Sequence, residues 1–394
     1  MLEVADALAI VLERARPLEP RLEPLSPALL HRILAVEARA DRDSPPFDKS
    51  LRDGYAVRSA DCDYNAELLL VEEIRAGALP KSSISRYDCA RIFTGAPMPD
   101  GADAVVMLED TDVLGDCIQI RDDRVKAGHW VFPRGTEMRA GDVAIAAGTR
   151  LNAAAIGVLA GIGASEVNVY PRTRVAVIAT GDELVRVNEQ PGPGQIRNSN
   201  GAMLAAQAVS AGAEVSELGI ARDTLDDLKK IIGSALDTSE VVLLAGGVSA
   251  GNFDLVPIVL EELGMAALFH KVRMKPGKPL LFGTFGNTLV FGLPGNPVSA
   301  FVCFELFVRP ALRRLAGEMV PGPRSVLMPL AEAIAEANDR PTYRPATLEN
   351  GTVRPLQWAG SPDLRGIARA DALIVLPAGE SRLDAGMLVN VIGL

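Results

Sequence analysis

The sequence predicts a multidomain α/β protein with a central three-layer α/β domain, a discontinuous helical domain, a small β-rich insert and a C-terminal β domain. Three apolar runs predict the central domain. Val175-Ala176-Val177-Ile178-Ala179 ends in Thr180-Gly181-Asp182-Glu183, and Val241-Val242-Leu243-Leu244 ends in Ala245-Gly246-Gly247-Val248-Ser249-Ala250-Gly251. Leu289-Val290-Phe291 ends in Gly292-Leu293-Pro294-Gly295-Asn296-Pro297. Short apolar runs closed by glycine, with helical patterns between them, read as parallel strands buried on both faces. Ligands of such sheets sit beyond the carboxyl ends of the strands, which is where these Gly, Ser and Asp residues fall.

Taken in order, residues 2–14 place Val4, Leu8, Val11 and Leu12 at helical spacing, and Pro17 stops them. A second helix is expected over 26–40, with Ser26 as N-cap and Pro27 at its first position. From Pro46 the texture turns to short alternating segments, among them 67–74, 104–108, 117–120 and 143–146. Leu151 to Gly163 reads as a buried helix that returns the chain to the N-terminal part. The expected division is 1–45 with 141–170 as the helical domain, 46–140 as the insert, 171–322 as the α/β domain and 323–394 as the C-terminal β domain. Helices of the α/β domain are expected over 201–211, 224–235, 253–263 and 298–315. Beyond Gly322, runs such as 372–376 and 387–392 read as strands.

Length and charge narrow the function. A chain of 394 residues exceeds one ordinary core. A formal charge of −10 opposes nonspecific nucleic-acid binding, which wants a basic face. No apolar stretch reaches the ~20 residues of a membrane span, and Glu3, Asp6 and Glu13 are wrong for a signal peptide. Four widely spaced cysteines without a CxxC pair point to a reducing compartment, so the expected location is the cytoplasm. Three scattered histidines do not make a metal site.

Lys275-Pro276-Gly277-Lys278-Pro279 sets two ammonium groups around a glycine in a loop where proline forbids helix, a device for holding one phosphate. An ordinary solvated turn is the competing reading. Pro297 and Ser299 stand at the start of a helical pattern, a natural anion site, although a plain N-cap also explains Ser299. Asp182, Glu183, Asp223 and Asp254 each follow an apolar run. Singly each is an ordinary cap or turn, and Asp223 suits a cap before Thr224. Together at one sheet edge, beside phosphate loops, they point to Mg²⁺. Gly247-Val248-Ser249-Ala250-Gly251 also matches the G-x-S-x-G nucleophile elbow, with Asp254 and His270 following. Those partners come too soon after the serine for a hydrolase triad.

The chain resembles the molybdopterin molybdenumtransferase family, the bacterial MoeA proteins and gephyrin-type E domains. The resemblance rests on Pro45-Pro46-Phe47-Asp48 with Asp53-Gly54-Tyr55-Ala56-Val57, on Arg91-Ile92-Phe93-Thr94-Gly95-Ala96-Pro97-Met98-Pro99, and on Thr180-Gly181-Asp182-Glu183-Leu184. It continues through Asn198-Ser199-Asn200, Gly246-Gly247-Val248-Ser249, the lysine loop and Leu293-Pro294-Gly295-Asn296-Pro297-Val298-Ser299. The C-terminal domain is matched chiefly by Arg344 and Gly360-Ser361. Two stretches depart from the family pattern, Lys49-Ser50-Leu51-Arg52 and Gly135-Thr136-Glu137.

The resemblance implies that the central domain binds molybdopterin and that the reaction is the last step of molybdenum cofactor synthesis. Adenylylated molybdopterin and molybdate are the implied substrates, AMP is released, and Mg²⁺ assists. It implies catalytic roles for Asp53, Thr94, Glu183 and Asp254, with Glu183 and Asp254 on the metal. Substrate would lie against Asp182, Asn200, Asp223, Gly247, Ser249, Lys275, Lys278, Pro297, Ser299, Arg344 and Ser361. Of these, Lys278, Ser299, Arg344 and Ser361 are similar to the family's oxyanion-binding set. A two-fold homodimer with shared sites is expected, with the adenylyltransferase and apo-molybdoenzymes as further partners. Molybdopterin adenylyltransferases and nucleotide pyrophosphatases share the α/β domain but lack the Asp-Gly-Tyr-Ala and Phe-Thr-Gly-Ala-Pro stretches. A scaffold role like that of gephyrin-type domains is the non-enzymatic alternative.

Overall fold

A computed structural model describes residues 1–248, 255–336, 338–380 and 382–394. The first apolar pattern forms helix α1, Val4–Arg14, which buries Ala7 and Val11. The helix expected over 26–40 does not form. Pro27–Leu29 make a single 3-10 turn, Ser26 provides no side-chain cap, and Ala38–Arg39 is extended. The backbone at 33–35 pairs instead with 168–170, through Ala35 N to Asn168 O at 2.8 Å and Tyr170 N to Ile33 O at 3.1 Å. The Arg32 guanidinium also donates to the Tyr170 carbonyl and to Glu23. Tertiary pairing here overrides the helical propensity of an Ala/Leu-rich stretch.

One compact unit comprises residues 24–30 and 36–167. Its core is a six-stranded sheet of β1 (Gly54–Val57), β2 (Glu67–Ile74), β3 (Asp88–Ile92), β4 (Ala104–Met107), β5 (Thr111–Leu114) and β6 (Cys117–Ile120). They lie in the order β4-β1-β3-β2-β6-β5. Helix α2, Ala153–Gly161, is capped by Asn152, whose side chain accepts from Ala155 N. Tyr55, Val57, Cys89, Val106 and Ile118 fill one face of the sheet, and Ala56, Ile74, Ala90, Ile92 and Val105 fill the other. Strand β1 is buried throughout because it runs between β4 and β3.

The other unit comprises residues 1–23, 31–35 and 168–394. Its main sheet contains β7 (Arg174–Thr180), β8 (Glu214–Ala221), β9 (Val241–Ala245), β10 (Ala266–Phe269), β11 (Leu281–Phe285) and β12 (Thr288–Leu293), in the order β8-β7-β9-β12-β11-β10. The three apolar runs are the parallel neighbours β7, β9 and β12. Alternate residues serve opposite layers. Val175, Val177, Val241 and Leu243 pack toward α3 (Ser199–Ser210) and the helical stretch 297–315, while Ala176, Ile178, Val242 and Leu244 pack toward α4 (Leu225–Thr238) and α5 (Val256–Glu262). Each such fully buried Val or Leu contributes about 1.5–3 kcal/mol.

The helix expected over 298–315 is continuous but not uniform. It runs as α6 (Pro297–Cys303), a π-helical turn at Phe304–Val308 and α7 (Arg309–Leu315). Within the turn the buried Glu305 accepts from Arg309 Nε at 2.5 Å and from Gln207 Nε2 at 2.7 Å. Ser299 lies inside the first turn of α6 and is not its cap, a position that Asn296 holds. The cap of α4 is Thr224 and not Asp223, because the Thr224 hydroxyl accepts from Asp227 N.

The C-terminal strands β13 (Ser325–Pro329), β14 (Thr342–Glu349), β15 (Thr352–Pro355), β16 (Ala372–Leu376) and β17 (Leu388–Gly393) form an antiparallel sheet in the order β13-β17-β16-β14-β15. Among the described residues no helix is long and apolar enough to cross a membrane. All four cysteines are free. Burial pushes the thiols of Cys62 and Cys89 up to about 12, and raises that of Cys303 as well.

Gly54 of the Asp-Gly-Tyr stretch is fixed by strand spacing. A Cβ there would stand 1.9 Å from the Val106 carbonyl oxygen, so β1 and β4 could not keep their register around a side chain. Gly54→Ala is expected to destabilise this unit by about 1–3 kcal/mol, the usual effect of overpacking. Chemical denaturation followed by tryptophan fluorescence checks it, since Trp130 lies in this unit, and an unchanged midpoint contradicts the packing.

Candidate functional site

The parallel strands deliver their carboxyl ends to one edge of the sheet, and a cavity of about 530 Å³ opens there. Its wall carries Thr180 at the end of β7 with Gly181 and Glu183 beyond it, Asp223 after β8, Gly246 and Gly247 after β9, and Pro294 to Pro297 after β12. The turn after β9 needs glycine. At Gly247, φ is +65° and a Cβ would stand 2.6 Å from Thr180 Oγ1.

Helix α3 supplies the opposite wall. Asn198 caps it by accepting from Gly201 N at 2.9 Å, which aims Asn200 into the cavity. Asn200 Nδ2 donates to the Gly295 carbonyl at 2.7 Å, while its Oδ1 is buried without a partner. Thr180 Oγ1 is buried and unpartnered too. Two residues of the cavity wall thus carry buried oxygens with hydrogen-bonding capacity to spare. Among the described residues the Glu183 carboxylate, which also lines it, makes no hydrogen bond or ion pair. Asp182 does not line the cavity; its carboxylate accepts from Asp223 N at 3.2 Å and so holds that neighbour in place.

A second cavity of about 650 Å³ adjoins the first, with Pro279 and Asn296 lining both. It contains the whole lysine loop, with Ser299, Ser361, Arg340, Arg344, Glu336 and Trp358. The loop is spliced to the C-terminal sheet by its backbone. Lys275 N donates to the Pro341 carbonyl at 2.9 Å, and Tyr343 N donates to the Lys275 carbonyl at 2.8 Å. That pairing carries Arg344 of β14 to Lys275. Asn296 Nδ2 donates to Ser361 Oγ at 3.1 Å, and Val298 N to the Ser361 carbonyl at 3.0 Å. Lys275 Nζ donates to Glu336 at 2.7 Å, whereas the exposed Lys278 side chain has no such partner among the described residues. The buried Nε atoms of Arg340 and Arg344 lack hydrogen-bond partners.

Of the residues singled out from sequence, Glu183, Asn200, Asp223, Gly247 and Pro297 share the first cavity, and Lys275, Lys278, Ser299, Arg344 and Ser361 share the second. Ser249 and Asp254 lie outside the described residues. His270 Nε2 is bonded to the Val248 carbonyl at 2.7 Å, which takes it from the role a hydrolase triad would need. Thr180, Asn296, Glu336, Arg340 and Trp358 escaped sequence reasoning. Asn296 stood inside a quoted stretch, but Glu336, Arg340 and Trp358 sit where no local pattern marks them.

Asp53 and Thr94 belong to the other unit and meet there. Asp53 Oδ1 accepts from both the amide and the hydroxyl of Thr94 at 2.7 Å. Those two bonds, the amide first, hold the Asp53 carboxyl below the usual carboxylate range. Both bonds favour its charged form. The two departures from the family pattern also meet in this unit. Glu137 accepts from Ser44 Oγ at 2.7 Å and pairs with Lys49 Nζ at 4.0 Å.

Comparison with known proteins covers nearly the whole chain. Residues 2–163 match the MoeA N-terminal region (domain I and II), 176–314 the "Probable molybdopterin binding domain", and 328–394 the MoeA C-terminal region (domain IV). The molybdopterin molybdenumtransferase of Staphylococcus aureus is 37% identical over 372 residues, covering 92% of this chain and 88% of that protein. The Staphylococcus epidermidis protein of the same name is 37% identical over 384 residues, with the same coverage of both chains. A crystal structure of the molybdopterin biosynthesis MoeA protein from Pyrococcus horikoshii superposes with a TM-score of 0.84 at 31% identity, covering 100% of this chain and 99% of that one. A crystal structure of a molybdopterin biosynthesis MoeA protein from Pyrococcus horikoshii OT3 gives 0.87 at 27% identity with 100% of both chains covered. The chain belongs to the molybdopterin molybdenumtransferase family.

Proposed function

We propose that this transferase inserts molybdenum from molybdate into adenylylated molybdopterin and releases AMP. The observation that carries this reading is the pair of adjoining cavities, one rich in buried acceptors and one lined by cations, joined at Asn296 and Pro279. The pterin and nucleotide suit the first, because a pterin ring offers N–H donors to Asn200 Oδ1 and Thr180 Oγ1. Molybdate, a tetrahedral dianion, suits the second, with Lys275, Lys278 and Arg344 as cations and Ser299 and Ser361 as hydroxyl donors.

Mg²⁺ fits the first cavity in a limited way. Among the described residues no group of three or more His, Cys, Asp or Glu could hold a metal. Mg²⁺ needs less, since it is commonly held by one or two carboxylates together with substrate phosphates and water. Glu183, uncommitted on the cavity wall, is one such ligand, and Asp254 is the second we assign. When bound, Mg²⁺ neutralises charge on the phosphoanhydride. The chain's own part is to hold the phosphates on the glycine turn and the lysine loop, and to keep the oxyanion beside them. Its four free cysteines favour a reducing compartment, and we place it in the cytoplasm.

Incubation with adenylylated molybdopterin and molybdate is expected to release AMP. Lys278→Ala is expected to weaken binding of molybdate and of the pterin substrate by about 1.5–3 kcal/mol, or one to two decades, without loss of folding. Calorimetry showing unchanged affinity contradicts the assignment.

We further propose a two-fold homodimer in which Asp53 and Thr94 complete the site of the partner chain. Their support is that the Asp53–Thr94 pair is pre-formed in a separate compact unit, and that two-fold dimers are the commonest assembly. Mixing inactive Asp53→Ala chains with inactive Glu183→Ala chains should then restore activity. About half the dimers are mixed and each has one intact site, so roughly a quarter of wild-type activity returns. A mixture that stays dead after mass spectrometry has confirmed chain exchange refutes the shared site.

A further inference from the structure

We propose that Glu336 is a resident counter-anion of the cationic cavity, which an incoming oxyanion must displace, and that it thereby restricts the site to doubly charged oxyanions. The inference rests on the oxyanion reading of that cavity. Among the described residues Glu336 is the only carboxylate lining it, facing Lys275, Lys278, Arg340 and Arg344. Its Oε1 accepts from Lys275 Nζ at 2.7 Å, and its Oε2 lies 3.5 Å from an Arg344 terminal nitrogen. The carboxylate is half-buried, its side chain 22% exposed. One planar anion thus spans two of the groups that would hold molybdate.

The fit of this carboxylate is incomplete. The Nε atoms of Arg340 and Arg344 remain buried without a hydrogen bond, and Arg340 has only a loose pairing with Asp339 at 3.6 Å. Among the described residues Lys278 is left uncommitted. Two coplanar oxygens cannot serve donors arranged around a volume, whereas four tetrahedral oxygens can. The unliganded site is therefore partly neutralised, with donors in reserve.

Charge decides which anions overcome this competitor. Moving Glu336 aside sacrifices the same contacts whatever arrives. The attraction gained in return scales with the charge of the newcomer. A monoanion exchanges one negative charge for another and gains little. A dianion leaves a surplus, so the carboxylate sets a threshold that molybdate passes.

A purely structural tie makes the opposite prediction. If Glu336 only held Lys275 and Arg344 in place, removing its charge would loosen both and weaken anion binding. The test is calorimetric titration of the full chain with molybdate and with perchlorate, for the wild type, Glu336→Gln and Lys278→Ala. Glu336→Gln should bind molybdate about tenfold more tightly or better, as expected for release of a charge-assisted competitor. It should also bind perchlorate, whereas the wild type should not take up perchlorate measurably. Equal or weaker molybdate binding by a folded Glu336→Gln chain overturns the proposal.

Should that variant fail to fold, Glu336→Asp serves in its place, because the shorter side chain draws the carboxylate away from Lys275. It must tighten molybdate binding in the same direction, and failure to do so is equally fatal. If Lys278→Ala binds molybdate as the wild type does, the oxyanion reading falls and this inference falls with it. If Lys278→Ala weakens binding while loss of the Glu336 charge does not strengthen it, only the inference about Glu336 falls.

Discussion

Two backbone hydrogen bonds at Lys275, one from its amide to Pro341 and one to its carbonyl from Tyr343, are what the cationic cavity depends on. The lysine loop comes from the α/β sheet, and Arg344, Arg340 and Glu336 come from the C-terminal segment. Among the described residues, each part supplies two of the four cations. The pairing works like one rung of a ladder, fixing the distance between the two segments without using any side chain. The Lys275 side chain is thus left free of the rung and reaches the cavity, where Glu336 accepts from it. Buried Tyr343 and Leu373 extend the same junction into the main core, so the position of Arg344 is set by packing as well as by hydrogen bonds.

The first cavity rests on a different constraint. Parallel strands bring Ala179, Ala245 and Leu293 to the same level, and Gly246 N donates to the Leu293 carbonyl at 3.1 Å across the strand ends. The turns after the strands cannot all be hydrogen-bonded to each other, and they leave polar groups facing the cavity. The two sites are thus of opposite character for a structural reason. A sheet edge offers amides and acceptors from successive turns, while the junction of two segments collects long cationic side chains.

Much of this was legible in the sequence because the signals were local. Apolar runs closed by glycine named β7, β9 and β12, and the helix expected over 201–211 is α3, which begins two residues earlier at Ser199. What was not legible depended on distant partners. Residues 26–40 have helical composition but are drawn into extended pairing with 168–170. Glu336 and Arg340 carry no pattern of their own, and only the rung at Lys275 gives them a place. The cap assignments for Asp223 and Ser299 missed by one to three positions, because a cap depends on where the backbone turns and neighbouring polar residues compete for it.

The buried cysteines bear on the chemistry in a way their positions do not suggest. Molybdenum prefers sulfur, and the proposed reaction hands it to the paired sulfurs of a dithiolene. A protein thiol can intercept such a metal only as a thiolate. Cys62 and Cys89, pushed up to about 12, and Cys303, raised by full burial, keep their protons near neutral pH. Cys303 even lies directly beneath the lysine loop, its Sγ donating to the Gly277 carbonyl at 3.5 Å. The thiol beneath the lysine loop is thus held in a protonated, sequestered form, and it does not compete with the paired sulfurs of the incoming pterin.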